Sequence, residues 1–123
     1  MINQKNIAIL VTINIPLGDF LAINMGKVGY EILIAPDVQS ALFLIKTAHP
    51  TYIIIDTLLP SNGAENLLSK LEPINRVQNI PIILLDASLP KNHNDTFTHY
   101  QKIRQDVEPK ELVTSLTDKI EKI

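Results

Sequence analysis

Short apolar runs alternate with segments whose apolar residues recur at helical spacing, and the alternation runs nearly the length of the chain. Ile7 to Val11, Tyr30 to Ala35, Thr51 to Ile55 and Ile80 to Leu85 read as strands. Tyr100 to Arg104 reads as a less apolar fifth. Between them, Leu17, Phe20, Leu21, Met25 and Val28 fall on one helical face, with Pro16 in the first turn and Gly26 and Gly29 as stop signals. Val38, Ala41, Leu42, Ile45 and Ala48 mark a second helix behind a capping Asp37. Leu67, Leu68 and Leu71 mark a third, with Pro73 expected to begin its end. Pro109 opens a last helix, with Leu112, Val113, Leu116, Ile120 and Ile123 on one face. The segment from Ser88 to His99 lacks an apolar rhythm and contains Pro90, so a loop with at most a helical turn is expected there.

Strand–helix repetition implies a parallel sheet with helices on both faces and right-handed crossovers. Inner strands of such a sheet are buried on both sides and should be apolar without interruption. Ile53-Ile54-Ile55 and Ile82-Ile83-Leu84-Leu85 satisfy this. The expected fold is α/β, a doubly wound five-stranded parallel sheet in which the helix between the last two strands is shortened or irregular. At 123 residues, a single domain spanning 1–123 is expected, with no room for a second of ordinary size.

Composition narrows the function classes. The formal charge is −2, so no basic excess favours nucleic acid or an anionic membrane. Aromatic residues make up 5% and tryptophan is absent, which disfavours a base-stacking platform. There is no cysteine, which removes disulfides, thiol nucleophiles and the usual structural zinc site. That is compatible with a reducing cytosol, and a cytoplasmic location is expected. No apolar stretch is long enough to span a bilayer. His49, His93 and His99 lack metal-ligand spacing, no serine sits in a nucleophile elbow, and the four glycines form no phosphate cradle.

Open α/β sheets bind ligands beyond the carboxyl ends of their strands. That directs attention to Thr12, Ile13, Asn14, Pro36, Asp56, Asp86 and Gln105. Asp56 is the sharpest of these, because a carboxylate closing an isoleucine run costs free energy unless it is solvated, paired or used. The plain alternative is a solvated or capping strand-end aspartate.

The run from Tyr52 through Asp56 to Pro60, with Gly63 and Leu67-Leu68 behind it, resembles the phosphoacceptor strand and loop of response-regulator receiver domains. Gly29-Tyr30-Glu31 with Ala35 and Ala41-Leu42 is similar to the family's second strand and helix. Ile80 to Ile83 resembles its fourth strand, and Glu108 to Leu112 the start of its last helix. The resemblance covers nearly the whole chain and implies the flavodoxin-like fold. It also implies that Asp56 stands in the phosphoacceptor position.

The same resemblance exposes departures. The family holds a divalent cation with an acidic pair after the first strand, and that position, 17 residues before Gly29, falls on Thr12 with Ile13 beside it. Magnesium wants hard, preferably anionic oxygen ligands. Ile13 offers none, Thr12 a neutral hydroxyl and Asn14 at best a neutral oxygen, so weak magnesium binding at most is expected, and no resident cofactor. The family hydroxyl residue ending the fourth strand is matched by Asp86, 30 residues after Asp56. At an effective dielectric near 20, two carboxylates ~5 Å apart would repel by roughly 3 kcal/mol; an Asp86 turned outward to cap the next turn would avoid this. The family lysine ending the fifth strand is matched by Gln105, and its aromatic switch position by Lys102 rather than Tyr100.

The expected function is therefore that of a degenerate receiver, or pseudo-receiver. It would be a non-enzymatic protein-interaction module in two-component signalling, independent of magnesium-dependent phosphorylation. The alternatives are an active phosphoacceptor at Asp56 in a phosphorelay and, on fold analogy alone, a small-ligand binder. The expected partner is a signalling protein, either a histidine kinase or a downstream effector, with no nucleic acid or membrane. Tyr100, Lys102 and Arg104 fall on the surface that receivers use for partners, and Phe43 would be partly exposed and could meet a partner or a second copy of the chain.

Overall fold

A computed structural model describes residues 6–78, 80–86, 100–104 and 109–121. The elements follow the expected order: β1 (Asn6–Val11), α1 (Ile15–Lys27), β2 (Tyr30–Ala35), α2 (Val38–Ala48), β3 (Tyr52–Asp56), α3 (Gly63–Gln78), β4 (Ile82–Asp86), β5 (Tyr100–Arg104) and α4 (Pro109–Glu121). All five strands are parallel, in the order β2-β1-β3-β4-β5. The connection between β4 and β5, where an irregular helix was expected, lies outside the described residues, as do Gln105, His93, His99 and Ile123.

Side chains alternate across a strand, so each buried strand feeds two cores. Ile9, Val11, Ile53, Ile55, Ile82 and Leu84 pack with Ala41 and Ile45 of α2 and Leu67 and Leu71 of α3. Ala8, Leu10, Ile54, Ile83 and Leu85 pack with Leu21 and Met25 of α1 and Leu112, Leu116 and Ile120 of α4. The uninterrupted isoleucine run of β3 follows from this: β3 lies between β1 and β4 and has no wet face.

Local signals mark several element ends. The Asn14 side chain caps α1 by accepting the Leu17 N–H, and Asp37 caps α2 by accepting the Ser40 N–H. That Ser40 backbone bond holds the Asp37 carboxyl below its ordinary value. The resulting support for folding is present above the ordinary carboxylate range and fades as pH falls through the lowered value.

Three expectations need correction. Val28 is not on the core face of α1: it follows the last helical residue as the C-cap and is exposed. Gly26 does not stop the helix but lies within it, and the reversal comes at Gly29, whose φ is +97°. Pro73 does not end α3, which runs on to Gln78. Pro73 is exposed, as is Ser69 four residues earlier, so the carbonyl that loses its donor is on the wet side of the helix.

The two glycines near this reversal should respond oppositely to alanine. A Cβ at Gly26 would meet nothing within 4 Å. Gly26→Ala should therefore stabilise by about 0.5 kcal/mol through helix propensity and loss of unfolded-state freedom. Gly29→Ala should destabilise, because its positive φ disfavours a side chain. Thermal melts of the two variants check both signs.

Candidate functional site

The strand order reverses between β1 and β3: the first crossover runs to one side of β1 and the second returns to the other. The crevice at their carboxyl ends is thus the topological switch point. The last paired residues of these strands are Val11 and Ile55. One residue further on, Thr12 and Asp56 stand side by side.

Both are almost completely buried, Asp56 at 1% exposed and Thr12 at 2%. The Thr12 hydroxyl donates to Asp56 Oδ2 at 2.6 Å, a short distance suited to a hydrogen bond onto a carboxylate. Asp56 Oδ1 accepts the Leu58 backbone N–H at 2.9 Å, closing a turn of the Asx type. Thr12 Oγ1 in turn accepts the Asn14 N–H at 3.0 Å. The turn after Asp56 is held from the other side, where the Thr57 hydroxyl and N–H both donate to the Leu85 carbonyl, at 2.9 and 3.0 Å. No described buried side-chain nitrogen or oxygen lacks a hydrogen-bond partner.

The structure brings together part of the expected site. Asp56 and Thr12 meet directly. Ile13 lies at the rim and is 53% exposed, adding apolar surface where the resemblance implies a cation-binding carboxylate. Asn14 is drawn away from ligand duty, since its side-chain oxygen caps α1. Asp86 closes β4 one residue beyond Leu85, the register partner of Asp56. Opposite Asp86 in β5 is Arg104, while Lys102 pairs with Leu84 and Tyr100 with Ile82, which puts all three residues of the expected partner surface on the strand at the end of the sheet. Phe43 is 65% exposed on α2, more open than expected. Among the described residues no group of three or more histidines and acidic side chains is arranged to hold a metal ion, and no helix is long and apolar enough to cross a membrane.

Two features were missed from sequence. The Leu58 N–H is a backbone donor and carries no residue signature, although a strand-end aspartate followed by a turn is the pattern that makes such a bond. The second is the partner of Thr12: expected as a neutral hydroxyl in the degenerate pocket, Thr12 donates that hydroxyl to the Asp56 carboxylate. A separate cavity of about 350 Å³ opens between the first turns of α2 and α3, walled chiefly by Pro36, Val38, Leu59 and Pro60, and neither Thr12 nor Asp56 lines it.

No family model matches the sequence. Among curated proteins, the chain is 36% identical over 67 residues to a probable transcriptional regulator, ycf27, of Galdieria sulphuraria, covering 54% of this chain and 25% of that protein. It is 32% identical over 72 residues to the phosphate regulon transcriptional regulatory protein PhoB of Pseudomonas aeruginosa, covering 58% of this chain and 31% of that one. The chain thus matches only a quarter to a third of the length of these regulators. Among solved structures, the chemotaxis response regulator CheY4 of Vibrio cholerae superposes with a TM-score of 0.80 at 18% identity, covering 94% of this chain and 99% of that one. The BeF3-activated N-terminal receiver domain of Klebsiella pneumoniae RstA superposes with a TM-score of 0.74 at 20% identity, covering 94% and 98%. The fold is that of receiver domains, and the resemblance read from the sequence is borne out.

Proposed function

We propose that this receiver-type domain is a degenerate response-regulator module, one that binds a signalling protein without magnesium-dependent phosphorylation of Asp56. The observation that carries the reading is the 2.6 Å bond from the Thr12 hydroxyl to Asp56 Oδ2. A carboxylate in the position of Thr12 would repel Asp56 and call for a cation between them. A hydroxyl instead satisfies Asp56 directly, and the rim beside it is Ile13. With each oxygen of Asp56 already accepting a hydrogen bond, from Thr12 and from the Leu58 N–H, the carboxylate is a poorer nucleophile and a poorer cation ligand. No bond-making chemistry is assigned to the site, and the domain is read as a non-enzymatic, cytoplasmic interaction module.

Its partner in this reading is a signalling protein, a kinase or an effector. Similarity to ycf27, to PhoB and to a segment of the sensor histidine kinase TmoS of Ectopseudomonas mendocina supports that class. The surfaces offered are Phe43 on α2 and the β5 strand with Tyr100, Lys102 and Arg104; a second copy of the chain at Phe43 is the homodimeric version of the same idea.

The competing reading, an active phosphoacceptor, draws on one observation: Asp56 is present, at the switch point of the sheet. Beryllofluoride with millimolar Mg²⁺ separates the two. Backbone amide resonances of residues 12–14 and 56–59 should stay unchanged through the titration. Saturable shifts centred on Asp56 and Thr12 would replace the degenerate reading with the phosphoacceptor one.

A further inference from the structure

The hydrogen bonds around Asp56 continue beyond the pocket. Thr12 Oγ1 donates to Asp56 Oδ2 and accepts the Asn14 N–H. The Asn14 side chain then accepts the Leu17 N–H at 3.1 Å as the cap of α1. Three consecutive bonds therefore join a buried carboxylate to the first turn of a surface helix.

We propose that the Thr12 hydroxyl is a relay that couples the state of the Asp56 carboxylate to the first turn of α1. The physical basis is the stiffness of threonine. One oxygen serves both bonds, and a β-branched side chain has few χ1 wells, so a group that displaces Oγ1 itself from Oδ2 moves it to a well in which it no longer meets the Asn14 N–H. A donor group of a bound partner seated at Oδ2 displaces the Thr12 hydroxyl from the oxygen to which it donates. The side chain then turns, the Asn14 N–H loses its acceptor, and the cap that Asn14 supplies to Leu17 loosens. The residues flanking that cap are Ile13 and Ile15, and Ile15 is 72% exposed. The state of the pocket thereby reaches the surface at the start of α1, on a different part of the molecule from Phe43 and β5.

The inference rests on the reading of this pocket as one closed by a hydroxyl, and its test is independent of phosphorylation. Amide hydrogen exchange is measured on the whole chain for wild type, Thr12→Val, Thr12→Ser and Asp56→Asn, with the Ile54 amide of β3 as the reference for global opening. In Thr12→Val, exchange at Asn14 and Leu17 should rise at least about tenfold more than at Ile54, as local opening requires. Thr12→Ser, which keeps the hydroxyl, should restore both amides to within about twofold of wild type. Asp56→Asn, which keeps an acceptor oxygen but loses the charge, should give a smaller rise at the same two amides. If Thr12→Val is too unstable to measure, Asp56→Asn decides alone: exchange at Asn14 and Leu17 should rise more than at Ile54. An equal rise at Leu17 and Ile54, or a change confined to Asn14, would overturn the relay. Neither result depends on beryllofluoride, so a failed relay and a failed degenerate reading are told apart.

Discussion

Thr12→Val should destabilise the protein by about 1.5–3 kcal/mol, the range for losing a hydrogen bond to a charged group. Valine closely matches the shape of threonine, so packing changes little and the loss is mainly that of the hydroxyl. That hydroxyl donates to a carboxylate that is 1% exposed, where water cannot readily replace it. It also accepts the Asn14 N–H, which adds to the loss. Thr12→Ser retains both bonds and should cost less than about 1 kcal/mol, since only a methyl is lost. Urea unfolding of the two variants, with Asp56→Ala completing a double-mutant cycle, measures the coupling; a value near zero between positions 12 and 56 would mean that the short bond contributes nothing to stability.

Ile54→Ala should cost about 3–4 kcal/mol, within the range for emptying a fully buried aliphatic site. Ile54 is 0% exposed, lies on β3 between β1 and β4, and faces the core formed with α1 and α4. The flanking strands β1 and β4 limit how far the surroundings can collapse into the space. Such a loss is a large share of the roughly 5–15 kcal/mol by which most domains are stable. Ile23→Ala, at an exposed site on α1, should change stability by less than about 0.5 kcal/mol. Urea midpoints at constant m-value provide the comparison, and similar midpoints for the two variants would contradict the placement of β3 at the centre of the sheet.

Much of this architecture was legible in the sequence because the signals are local. The two-residue alternation of a strand and the 3.6-residue period of a helix lie within a few neighbouring positions. Tyr30 to Ala35, Val38 to Ala48 and Tyr100 to Arg104 were located to the residue. Errors fell where a local cue was outweighed. Pro73 interrupts one donor, but α3 buries Leu67 and Leu71 and persists past it. Val28 continues the apolar spacing of α1, but the helix ends one residue earlier because Gly29 reverses the chain.

The site divides in the same way. Asp56 stood out because a charge ending an isoleucine run is a local anomaly. The function of Thr12 did not, because nothing near Thr12 in sequence specifies what its hydroxyl faces. Thr12 and Asp56 are 44 residues apart, and they meet only because β1 and β3 are neighbours in a register that sets Val11 against Ile55. Sequence by itself determined the order of strands and helices, the two-sided burial of the sheet and the prominence of Asp56, since each depends on residues close along the chain. Tertiary structure alone decided that the carboxylate is met by the Thr12 hydroxyl, because strand order and register are non-local.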